Sequence, residues 1–112
     1  MLIEGVGGAM VPLDEKRTVI DWMEALGIPA ILVTGSYLGA ISHALTTLEV
    51  LKMRRIPVHA VILNESHRST VSMQAVVNEL APRVQAPLVC VARRSAADGW
   101  KDVPELKPLL VA

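Results

Sequence analysis

Four short stretches of the chain carry side chains suited to chemistry. The first is Glu4, followed by Gly5, Val6, Gly7 and Gly8. A carboxylate at the end of a strand and ahead of small residues is able to hold Mg²⁺ while the backbone approaches a phosphate closely. The same pattern also suits a tight turn whose Glu is solvated. The second stretch, TGSYLGAISHALTT over residues 34–47, has no Asp, Glu, Lys or Arg and opens a long helix with small residues. Free N–H groups at such a start attract an anion, and Ser36, Ser42 or Thr46 would add hydroxyl donors; an ordinary helix start with glycines for close packing is the competing reading. The third is Asn64 with Glu65, at the end of an apolar run. The Asn amide donates and accepts in one plane, as recognition of a base edge requires, and Asn is equally common as a turn or cap residue. The fourth, Arg93 and Arg94, suits contact with phosphate or plain solvation.

Other polar residues carry less. His43 and His59 have no spaced ligand partner and read as packing or helix-surface residues. His67 lies in a polar loop and reads as solvated, and Ser69 and Ser72 are expected to cap the following helix. Cys90 sits inside an apolar strand and reads as a small core residue.

These stretches need a scaffold, and the apolar pattern supplies one. Leu2 and Ile3 read as the end of a short strand. Thr18 to Leu26 has Val19, Ile20, Met23 and Leu26 at helical spacing, stopped by Gly27. Pro29 to Thr34 is an apolar run too short for a helix and predicts a buried parallel strand. From about Gly39 to Arg54, Ile41, Leu45, Leu48, Leu51 and Met53 give a helix one apolar side, and its basic end suits the dipole. Pro57 to Leu63 predicts a third strand, Met73 to Leu80 a helix ended by Pro82, and Pro87 to Val91 a fourth strand. After Ser95 the signal weakens, and Pro104 to Val111 is expected to close with a helical turn or two. The order predicts an α/β fold: an open, mostly parallel sheet with flanking helices in a three-layer, Rossmann-like arrangement. In such sheets ligands lie at the carboxyl ends of the strands, where the four stretches fall. A parallel strand at the first residues also implies strands ahead of it.

Bulk properties narrow the function. The 112 residues allow a single domain with one modest core. Eleven basic and eleven acidic side chains cancel, and three aromatic residues (Trp22, Tyr37 and Trp100) give no stacking platform, so no nucleic-acid partner is expected. Mean hydropathy is +0.43, yet Gly, Pro or charge interrupts every apolar run, so no membrane partner is expected either. A single cysteine excludes an intrachain disulfide and fits a reducing, cytoplasmic location.

Taken in order, IEGVGGAMVPL, PAILVTGSYLGAISHALTTLEVL and PVHAVILNES closely resemble the C-terminal part of the dethiobiotin synthetase family, nearly the whole chain through Val91 being covered. The resemblance implies a P-loop NTPase-like homodimer that uses ATP and Mg²⁺ to carboxylate 7,8-diaminononanoate with CO₂ and close the ureido ring of dethiobiotin in biotin biosynthesis. It implies metal binding by Glu4, nucleotide binding by Glu4, Gly5, Val6, Gly7, Asn64 and Glu65, with Asn64 on adenine, and receipt of the substrate carboxylate by Gly39, Ala40, Ile41 and Ser42 across the dimer interface. Many members have Asn where this chain has Ser42, and the proline common near Arg93 is absent. The family's P-loop, of the form G-x-x-x-x-G-K-[ST], does not occur in these residues. The expectation is the latter half of a synthetase, inactive by itself and completed by an N-terminal half. A non-catalytic α/β remnant serving as a binding or dimerisation module is the alternative. Cobyrinic acid amidating enzymes share a similar core, but the TGSYLGAISHAL helix start matches the biotin enzyme better.

Overall fold

The computed structural model describes residues 1–94, 97 and 99–110. Three strands, β1 (Ala30–Gly35), β2 (Val58–Asn64) and β3 (Leu88–Val91), form a parallel sheet in the order β1-β2-β3. Helices α1 (Val19–Leu26), α2 (Ala40–Met53), α3 (Met73–Leu80) and the short α4 (Lys107–Leu110) flank it, with 3₁₀ turns at Ala81–Arg83 and Gly99–Asp102. Each consecutive pair of parallel strands is joined through a helix, as strands running the same way require. This is the α/β fold expected from the pattern, an open parallel sheet with flanking helices, with boundaries shifted by a residue or so. The last helix covers only the end of its predicted range, and Val111 lies outside the described residues.

Register fixes which side chains share a face. Leu32 pairs with Val61 and Val61 with Leu88, while Thr34, Leu63 and Cys90 make the next row on the same side. Ala44 of α2 and Val76 and Leu80 of α3 pack with Leu63 there, joined by the half-buried Leu32, Leu88 and Cys90. Ala40 and Ala44 are buried one helical turn apart, and their small side chains let α2 lie close to its neighbours. A second cluster closes the opposite end of the sheet, where Ile20 of α1 meets Ala30, Leu51 and Ile56.

The helix ends follow local rules. Thr18 and Asp21 form a reciprocal capping box at the start of α1, and Gly27 ends it in the left-handed region at φ 63°. Ser72 caps α3 by accepting from the Ala75 N–H. Ser69 is not a cap: its hydroxyl donates to the Ser36 carbonyl and accepts from the Val71 N–H. Tertiary contact with the neighbouring loop overrides the local option.

The predicted strand at Leu2 and Ile3 is absent. Both residues are exposed, and the chain from Ala9 onward instead hydrogen-bonds to the start of α1, through Ala9 O to the Ile20 N–H and Val11 O to the Val19 N–H. A strand exists through its ladder, and no described strand lies beside these two residues.

Candidate functional site

The last row of the sheet is Gly35, Asn64 and Val91, paired side by side. Beyond it the three loops form the carboxyl rim. Val61, Ile62 and Leu63 are buried, whereas Asn64 turns outward and is exposed. Glu65 follows, its N–H donating to the Val91 carbonyl at 2.9 Å and its Oε2 accepting from the Arg93 N–H at 2.8 Å. The Glu65 side chain thereby ties the loop after β3 to the loop after β2.

A cleft of about 300 Å³ opens at this rim. Asn64, Glu65 and Val91 to Arg94 line one part, and Gly99, Trp100 and Val103 the other. It therefore offers a planar amide, a carboxylate, two arginines and an aromatic ring within one small space, groups that suit a polar ligand carrying a flat heteroaromatic group. The sequence reading set Trp100 aside with the other aromatic residues as giving no stacking platform, and did not place it at a site. Its neighbours there are loop-like, and only folding carries it beside Asn64.

The adjacent loops are clasped. The Ser36 N–H donates to Ser66 Oγ at 3.0 Å, and the Ser66 N–H donates to Ser36 Oγ at 2.9 Å, with Ser36 fully buried. Gly35 makes this approach possible, because a Cβ there would lie 2.4 Å from Ser66 Oγ. The clasp holds the approach to α2 against the loop that starts at Asn64. Ser66 too escaped the sequence reading, since reciprocal bonding between residues thirty apart leaves no local signal.

Gly39 begins α2 at φ 92°, a conformation that glycine adopts freely, and Ala40, Ile41 and Ser42 form the first turn. Ala40 is buried while Ser42 is exposed. The Tyr37 hydroxyl and His43 Nδ1 are 3.0 Å apart, which fixes both rings at the helix start. His43 is thus an exposed helix-surface residue, one of the two roles read from the sequence, and has a polar partner there.

Glu4 to Gly7 form an exposed turn, with Gly7 at φ 84°, where an added Cβ would lie only 2.9 Å from Val11 Cγ2. Among the described residues no group of three His, Cys, Asp or Glu side chains is placed to hold a metal ion. Glu4 would give one oxygen, which suits Mg²⁺ carried on nucleotide phosphates and water but not a cage made by protein alone.

With this geometry in hand, comparison with known proteins supplies the family. A family model described as "AAA domain" matches residues 1–92. The chain belongs to this AAA domain family. It is also similar to proteins named ATP-dependent dethiobiotin synthetase BioD. The one from Acidiphilium cryptum (strain JF-5) is 61% identical over 64 residues, covering 57% of this chain and 29% of the relative. That from Methylobacterium nodulans is 42% identical over 106 residues, covering 93% of this chain and 47% of the relative. A "Biotin biosynthesis bifunctional protein BioCD" of Bordetella avium (strain 197N) is 36% identical over 115 residues, covering 98% of this chain and 24% of the relative. The chain thus spans less than half the length of each of these three relatives. Among the described residues no helix is long and apolar enough to cross a membrane.

Proposed function

We propose that this chain provides the base-recognising and substrate-receiving part of a dethiobiotin synthetase, the ATP- and Mg²⁺-dependent ligase that carboxylates 7,8-diaminononanoate with CO₂ and closes the ureido ring. The observation that carries the proposal is the cleft at the carboxyl rim, where exposed Asn64 stands beside Glu65, Arg93 and Arg94. The similarity to named dethiobiotin synthetases supports the same reading.

In this reading the Asn64 amide reads the adenine edge, its oxygen accepting and its nitrogen donating. Glu65 holds the rim in shape. The helix start at Gly39, Ala40, Ile41 and Ser42 receives the carboxylate of 7,8-diaminononanoate at a homodimer interface, using the positive end of α2 and backbone N–H donors other than that of Ala40, which donates to the Tyr37 carbonyl. Glu4, Gly5, Val6 and Gly7 face the phosphates, with Glu4 as a carboxylate ligand for Mg²⁺. When bound, ATP and Mg²⁺ supply the free energy for ring closure and neutralise phosphate charge. The 112 residues form one domain, act in the cytoplasm and make no dethiobiotin alone, because they include no P-loop cradle or its lysine.

The test is a dethiobiotin-forming assay with ATP, Mg²⁺, bicarbonate and 7,8-diaminononanoate, run on the chain alone and with an added N-terminal half bearing the P-loop. Activity only in the mixture supports the proposal. No activity in a mixture shown to be folded and associated overturns it in favour of a non-catalytic binding or dimerisation module.

A further inference from the structure

Trp100 presents a large apolar ring to solvent, 68% exposed, while lining the same cleft as Asn64. Its position follows from close packing of the backbone. Gly99 is buried, and a Cβ there would lie 2.6 Å from Arg94 Cβ, so the 3₁₀ turn Gly99–Asp102 lies directly on the Arg94 side chain. The Lys101 ammonium stands over the indole, 5.6 Å from the ring centroid. With 68% of its surface exposed, the ring is within reach of a flat apolar partner.

We infer that Trp100 is a base-stacking residue, with the adenine plane lying on the indole while Asn64 reads its edge. The inference rests on the nucleotide reading given under Proposed function and adds to it a residue that acts without regard to base identity. Every purine has a face to stack, whereas only the edge distinguishes adenine from guanine.

Chemical-shift titrations by NMR, which read millimolar affinities, test this on the wild-type chain and on the variants Trp100→Ala, Trp100→Phe and Asn64→Ala, with ATP and GTP as probes. Trp100→Ala is expected to weaken ATP and GTP alike by about tenfold, and Trp100→Phe to keep most of the affinity. Asn64→Ala is expected to reduce the preference for ATP over GTP. In a Trp22→Phe background, where Trp100 is the remaining indole, ATP should quench its fluorescence. If Trp100→Ala binds ATP as wild type does while Asn64→Ala is impaired, the stacking role is wrong and the nucleotide reading stands. If the wild-type chain shows no shift with ATP up to tens of millimolar, both are overturned.

Discussion

At the scale of single residues, Asn64 and Gly35 are opposite cases at the rim. Asn64 is exposed, so replacing it should leave folding intact, and the proposed role in base recognition is what its replacement tests. Asn64→Ala should weaken ATP by hydrogen bonds worth about 1 to 3 kcal/mol, read as a rise in Kd at unchanged melting temperature. Equal affinity would remove Asn64 from the site. Gly35 is the opposite case: it is part of the clasp, and an added methyl would stand 2.4 Å from Ser66 Oγ and 2.9 Å from Tyr37 Cδ1. Gly35→Ala should cost about 1 to 3 kcal/mol through forced backbone movement, measured by urea unfolding. An unchanged midpoint would mean that the Ser36 and Ser66 loops shift apart freely.

Between elements, an electrostatic tie joins α1 to the end of α2. Arg54, just past α2, places its guanidinium 2.6 Å from Asp21 and 2.5 Å from Glu24. The Asp21 carboxyl is held below its ordinary pKa by the Thr18 N–H first and by Arg54 second. A carboxylate with a lowered folded-state pKa contributes stability that is fully present above its unfolded value, near 3.9, and is lost as pH falls through the folded value. The turn before α1 behaves likewise, with Asp14 lowered to about 2 by the Lys16 N–H and by Arg17. The chain should therefore keep a flat stability profile from pH 7 to about pH 5 and lose stability below about pH 4. Asp21→Asn should be less stable at pH 7 and show a shallower acid loss, both read from urea midpoints across pH. A slope as steep as wild type would assign the acid loss to other carboxylates. Both Asp21 and Arg54 remain partly exposed, so added salt is expected to weaken the tie.

For the whole molecule, the outer strand β1 leaves one apolar side chain uncovered by the described residues. Val33 lies mid-strand in β1, an outer strand, and is 63% exposed, while its partner Ile62 in β2 is buried. An outer strand with an open face favours association. Sedimentation of the isolated chain should show self-association that rises with concentration, and Val33→Lys should reduce it. A monomer at all concentrations would contradict this expectation. Adding a P-loop half should compete with self-association if both use β1, which links this property to the activity test above.

The sequence by itself determined the alternation of helices and strands, because apolar runs of strand length and helical spacing are local signals: PAILVT, PVHAVIL and PLVCV each became a strand within a residue or so of the expected range. It determined the stop at Gly27 and the cap at Ser72 for the same reason. It also marked Asn64, since a polar residue ending a buried run is legible in one dimension. Tertiary structure alone decided the rest. Leu2 and Ile3 have strand-like composition, but a strand depends on a neighbour that no local pattern can supply. Ser69 had the look of a cap and was drawn to the Ser36 carbonyl across the rim. Arg54, read as a partner for its own helix dipole, reached two carboxylates about thirty residues away in α1. Trp100 and Asn64 are far apart along the chain and meet at one cleft. Local chemistry chooses the elements, whereas the cleft and the clasp arise from contacts between residues whose separation along the chain carries no signal.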